Sequence, residues 1–257
     1  MQKTIAVITG ASSGMGAEFV RTIESFGVRL DEIWAIARRQ ERLEALRAPC
    51  PVRPLALDLT DPASFSEYQA LLEQEQPRVA LLINASGFGK FAATWQTPLA
   101  VNQAMVALNC QAVLAMCQLT LPYLGEGSCI VNIASVAAFQ PIPYINVYAA
   151  SKAFVLQLSR ALNREARPQG IRVMALCPFW TKTEFFDRAI DAGREQIVKK
   201  YTAMYDPAQI VRRAWRDLAR GKDVSKYGFV ARFQAALCKL LPHSFVMTYW
   251  MHQQKLP

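Results

Sequence analysis

Apolar positions along this 257-residue chain alternate between two spacings. Short β-branched or apolar runs, beginning with Thr4-Ile-Ala-Val-Ile-Thr9, give way to stretches with apolar residues at helical spacing. That alternation predicts βαβ units on a parallel sheet. Strands are expected at Lys3–Thr9, Glu32–Ala37, Val52–Leu57, Val79–Ile83, Cys129–Ile133, Ile171–Leu176 and, shorter, Val224–Phe229, about seven in all. Helices are expected from the first glycine-rich turn to Phe26, over Glu41–Arg47, after Thr60 or Asp61 as cap with Pro62 in the first turn, over Leu99–Leu121, through Tyr148 to Arg167, and over Asp206–Ala219. Residues 181–203 read as a mobile helical cover. Residues 229–257 read as an amphipathic extension, with Phe229, Phe233, Leu237 and Leu240 at helical spacing. The fold class is α/β: a single doubly wound domain over 1–257 with helices on both faces of the sheet.

In such a sheet the loops leaving the strands share one edge, and ligands bind there near the point where strand order reverses. Gly10-Ala-Ser12-Ser13-Gly14-Met15-Gly16 follows the first strand. Its first glycine allows a tight turn, and the others let a pyrophosphate and the neighbouring strand approach a helix N-terminus. The spacing is G-x-x-x-G-x-G rather than the commoner G-x-G-x-x-G. Strand two ends in Arg38-Arg39, where a carboxylate would otherwise take a ribose 2′-hydroxyl; paired arginines suit a 2′-phosphate, or merely solvate a loop. The nearest carboxylate is expected to be Glu41, in the first turn of the next helix. Strand three delivers Asp58-Leu59, and strand four delivers Asn84-Ala85-Ser86-Gly87-Phe88-Gly89.

With 52% apolar and 19% charged residues the chain has ample material for a core. Its net charge of +9 is spread along the sequence without a nucleic-acid-binding motif, so a basic protein for anionic small ligands is the milder reading. The six cysteines have no metal-like spacing and read as buried free thiols. No leader is evident and no apolar run looks long enough to span a bilayer, so a cytoplasmic protein is expected.

The chemistry centres on Tyr148-Ala-Ala-Ser-Lys152. One helical turn separates the phenol from the ammonium, and a nearby positive charge favours the phenolate. By itself the spacing is also that of an aromatic packed under a lysine stem. Ser135, at the end of strand five, offers a second hydroxyl. Asn109, an amide inside an apolar helix, is either a structural hydrogen-bonding node or a site residue.

Together these residues resemble the classical short-chain dehydrogenase/reductase family over roughly the first 185 residues. The resemblance implies a Rossmann-type fold, a cofactor loop at Thr9–Gly16, an adenine contact at Asp58, and an Asn109-Ser135-Tyr148-Lys152 tetrad. Pro178 through Thr181 and Thr183 corresponds to the segment that contacts the nicotinamide. Asn84-Ala85-Ser86-Gly87 stands where the family has Asn-Asn-Ala-Gly, so the second asparagine side chain is missing. Tyr148 would be the acid/base, Lys152 would lower its pKa and hold ribose hydroxyls, Ser135 would fix the substrate oxygen, and Asn109 would distort its helix and hold a water. The segment Ala37-Arg-Arg-Gln-Glu-Arg-Leu43 resembles NADP(H)-dependent reductases of lipophilic ketones. A homodimer or homotetramer through the helices near 99–121 and 146–166 is implied. A dinucleotide-binding regulator without turnover is the alternative, and the filled tetrad favours an enzyme.

Phe88, Phe139, Ile142, Tyr144, Phe179 and Trp180 fall on loops expected around the reacting carbon, which points to a lipophilic ketone or alcohol, unless they only pack the cover onto the body. The C-terminal extension is expected to pack on the body or a second subunit, or to form a peripheral membrane surface.

Overall fold

The computed structural model describes residues 2–190 and 196–256. Its strands are β1 (Thr4–Thr9), β2 (Glu32–Ala37), β3 (Val52–Ala56), β4 (Arg78–Asn84), β5 (Cys129–Ile133), β6 (Arg172–Leu176) and β7 (Val224–Ser225). They form one parallel sheet in the order β3-β2-β1-β4-β5-β6-β7. The helices are α1 (Gly14–Arg21), α2 (Gln40–Glu44), α3 (Pro62–Glu75), α4 (Leu99–Val106), α5 (Ala112–Thr120), α6 (Asn146–Ala166), α7 (Phe185–Ala189), α8 (Pro207–Ala219), α9 (Phe229–Leu240) and α10 (His243–Gln254). Successive side chains of a strand point to opposite faces. Ile5 and Val7 therefore pack with Trp34, Tyr68 and Val155 on one side, and Ala6 and Ile8 with Phe19, Ile33 and Trp215 on the other. Strands covered on both faces carry continuous apolar runs, which is why they were legible. As expected, Asp61 caps α3, its carboxylate accepting from Ala63 N at 2.9 Å.

Strand order reverses at β1, which lies between β2 and β4. The loops after β1 and β4 thus lie side by side, and Thr9 joins them: its hydroxyl accepts from Ala85 N (3.1 Å) and Ser86 N (3.2 Å).

Several expectations need correcting. The last strand ends at Ser225 rather than Phe229: Cys177 N donating to Ser225 O (2.8 Å) is the last ladder bond, and the chain then turns at Gly228 (φ 88°). Phe229 begins α9 instead. The cover over 181–203 is helical only in Phe185–Ala189; a bridge pairs Thr181 with Tyr205, and residues 191–195 lie outside the described residues. The 25-residue run Leu99–Tyr123 is, by length and composition, apolar enough to cross a bilayer, contrary to expectation. Here it is a layer of the fold: Met105, Asn109, Val113, Met116 and Thr120 are buried against the body.

Candidate active site

Two cavities open on the edge where the strands end. The first, polar one follows the β1–α1, β2–α2, β3–α3 and β4 exit loops. It is lined by Gly10, Ser12, Ser13, Gly14 and Met15, by Arg38 and Arg39, by Asp58 and Leu59, and by Ala85, Ser86, Gly87 and Phe88. Gly10 has φ 66°, and a Cβ there would fall 2.7 Å from the backbone of Ala85 and Ser86, so only glycine lets the two loops meet. Gly16, expected to touch the cofactor, does not line the cavity; a Cβ on it would stand 2.2 Å from Gly10 O, so it serves helix packing. Asn84 also turns away: it is buried, its amide donating to Asn132 Oδ1 (2.9 Å) and lying 3.4 Å from Cys117 Sγ.

The charges in this cavity differ from those the sequence predicts. Arg38 lies 3.7 Å from Asp58. Arg39 donates to Ser12 Oγ (3.0 Å) and to Glu184 (2.9 Å), and Arg42 donates to the other oxygen of the same carboxylate. Glu184 and Asp58, rather than Glu41, are therefore the carboxylates facing the arginines. Hydrogen bonds from Arg42 and then Arg39 hold the Glu184 pKa below the ordinary value. Arg188, one helical turn further, lines the cavity too, and burial with Arg38 and Arg39 nearby weakens its hold on its proton. Arg42 follows Arg39 at helical spacing and was findable in the sequence; Glu184 and Arg188 arrive from the cover.

The second cavity, of about 560 Å³, is mostly apolar. Ser135 and Tyr148 face it, with Ile142, Phe179 and Trp180 as expected, but Pro178 and Thr181 line this cavity rather than the first. Phe88, Phe139 and Tyr144 do not line it: Phe88 lines the polar cavity, Phe139 packs against the core under Lys226, and Tyr144 is turned by φ 64°. Ile145, Phe186 and residues of α9 and α10 take their place. The two cavities share Met15, Thr183 and Phe185.

Here the tetrad converges. Asn109 sits in a π-helical turn, Ala107–Gln111, so the expected distortion is present. Its amide donates to Phe88 O (2.9 Å) and Ser151 Oγ (3.0 Å), and Oδ1 accepts from Phe88 N (3.1 Å). Both amide hydrogens thus pin the β4 exit loop to α6. Lys152 is buried, its ammonium donating to Ile133 O at 2.7 Å and lying 5.7 Å from the Tyr148 ring centre. A Cβ on Gly87 would fall 3.3 Å from that ammonium, so Lys152 reaches the wall of the polar cavity. The expected lowering of the Tyr148 pKa is not found: burial pushes it up to about 12, outweighing the Ser135 hydroxyl beside it. Burial also pulls Lys152 down to about 8.

The short chain dehydrogenase family model matches residues 4–192, spanning both cofactor-side loops and the whole tetrad. The chain is a short-chain dehydrogenase. It is 35% identical to a sulfoacetaldehyde reductase of Chromohalobacter salexigens over 69% of this chain and 72% of that protein. It is 31% identical to D-threitol dehydrogenase of Mycolicibacterium smegmatis over 76% and 77%. Among solved structures, a short-chain dehydrogenase from Sphingobium yanoikuyae in complex with NADPH superposes with a TM-score of 0.77 at 29% identity over 95% of each chain. The bulky-bulky ketone specific alcohol dehydrogenase from Comamonas testosteroni gives 0.74 at 26%, covering 95% of this chain and 93% of that one. This short-chain dehydrogenase is thus an oxidoreductase acting between alcohol and carbonyl groups with a nicotinamide dinucleotide. The glycine-tight β1–α1 loop, the arginines and Asp58 fit such a cofactor.

Proposed function

We propose that the protein is an NADP(H)-dependent reductase and dehydrogenase interconverting a lipophilic ketone and its secondary alcohol. The observation that carries this reading is the meeting of an arginine-lined polar cavity with an apolar cavity at Met15 and Thr183, beside Tyr148 and Ser135. Arg38, Arg39 and Arg42 would hold a 2′-phosphate, Asp58 the adenine, the Ser12–Met15 turn the pyrophosphate, and Lys152 the ribose hydroxyls. When bound, the dinucleotide supplies or accepts the hydride.

The chain supplies the proton and the surroundings. With its pKa near 12, the Tyr148 hydroxyl is protonated at neutral pH and acts as proton donor to a ketone oxygen. Ser135 offers a hydroxyl to the same oxygen. Phe179, Trp180 and Phe185 exclude water and favour an apolar substrate over a sugar. Outward-facing Leu99, Val106, Leu114 and Phe154 on α4, α5 and α6 support a homodimer or homotetramer, which light scattering measures.

The test is NADPH oxidation against ketones of graded size and polarity. Wild type should turn over bulky apolar ketones, and Tyr148→Phe should lose at least about 100-fold in turnover with NADPH affinity kept. Near-normal turnover by the variant removes Tyr148 from its role. Activity confined to charged or polyhydroxylated carbonyls removes the lipophilic substrate, and dinucleotide binding without turnover on any carbonyl or alcohol points to a regulator.

A further inference from the structure

The two C-terminal helices have unlike sides. Ala231, Ala235 and Cys238 of α9 and Val246, Trp250 and Gln254 of α10 are buried. They are tied down by Cys238 Sγ donating to Gln140 Oε1 (2.6 Å), Trp250 Nε1 donating to Pro143 O (3.1 Å) and Gln254 Oε1 accepting from Lys199 N (2.8 Å). The outer side carries Phe229, Phe233, Leu237, Leu240, Phe245 and Tyr249, of which Phe229 is 73% and Leu240 81% exposed. Phe229 and Phe233 stack on each other in the open, 6.0 Å between ring centres. Such a patch marks an interaction surface. Four of the six, Phe233, Leu237, Phe245 and Tyr249, also line the apolar cavity, so the patch rims its mouth.

Charge selects the partner. From Val224 to Pro257 the sequence has Lys226, Arg232, Lys239 and Lys255 and no aspartate or glutamate. Arg232, Lys239 and Lys255 are exposed, and among the described residues none of them forms an ion pair. A two-fold contact through this face would set these cations against themselves without a carboxylate, and it would seal the cavity mouth. An anionic lipid surface matches both the aromatic residues and the cations.

We propose that α9 and α10 dock the protein on an anionic membrane, with the mouth of the substrate cavity facing the lipid. Docking itself is independent of the proposed activity; entry of a lipophilic ketone from the bilayer rests on it. The test is co-sedimentation of the full chain with phosphatidylcholine vesicles with and without phosphatidylglycerol, in the absence of substrate. Wild type should pellet with the anionic vesicles and far less with neutral ones, and added salt should release it. Arg232→Gln with Lys239→Gln should lower the anionic partition coefficient about 30-fold. Phe229→Ser with Leu240→Ser should lower it more than tenfold, and neither pair lines the cavity. Equal or no pelleting of wild type with the two vesicle types overturns the proposal. So does a wild-type dimer in analytical ultracentrifugation that the Phe229 and Leu240 substitutions dissociate, which assigns the face to a second copy.

Discussion

Glu184→Gln should tighten NADPH while leaving NADH almost unchanged. The Glu184 carboxylate bridges Arg39 and Arg42 inside the polar cavity, and a 2′-phosphate of roughly −1.5 to −2 charge must compete for the same guanidinium groups. Both arginines and the glutamate are about half exposed, so each pair contributes only about 0.2–1 kcal/mol. Together the two pairs hold back phosphate binding by roughly 0.5–1.5 kcal/mol, or about twofold to tenfold in dissociation constant. Gln keeps the shape of the side chain and removes the charge. The assay is titration of each cofactor by quenching of protein fluorescence in wild type and variant, at low and at high salt. The NADPH gain should shrink as salt rises, since these charges are screened. An unchanged ratio of the two affinities, or preferential weakening of NADPH, would refute competition at this cluster and make Glu184 part of the closed cofactor site.

Three further outcomes are expected. Arg38→Ala with Arg39→Ala should weaken NADPH by about one to two decades, with NADH within about twofold, as separate titrations would read. Lys152, with a folded pKa near 8 against 10.5 unfolded, is charged and buried in the native state below pH 8, a cost that disappears as pH rises. The stability of cofactor-free wild type minus that of Lys152→Met should therefore rise between pH 8 and 10.5, by up to about 3 kcal/mol in urea unfolding; a fall over that window contradicts the shift. Gln254→Ala strips the partners of Lys199 N and Lys200 N and should cost about 1–3 kcal/mol, lowering the Tm by several degrees in calorimetry.

What was legible in the sequence was what local pattern encodes. Buried parallel strands must be apolar on both faces, so β1, β2 and β5 stood out with bounds within a residue of those observed. The tetrad was legible because each member sits in, or at the end of, an element that periodicity locates: Ser135 after β5, Tyr148 and Lys152 one turn apart on α6, Asn109 in the middle of an apolar helix. Tertiary structure alone decided the electrostatics. Glu184 lies 145 residues from Arg39 and meets it only because the segment after β6 folds back across the β1–α1 loop. Tyr148 and Lys152 have the predicted spacing, yet their titration is set by burial under Phe185 and beside β5, which no spacing reports. Asn84 and Gly16 look like cofactor ligands in a motif, whereas packing turns one into the core and presses the other against Gly10. Periodicity follows the chain's own neighbours; desolvation and long-range charge depend on which distant segments share a volume, and only the folded molecule brings those together.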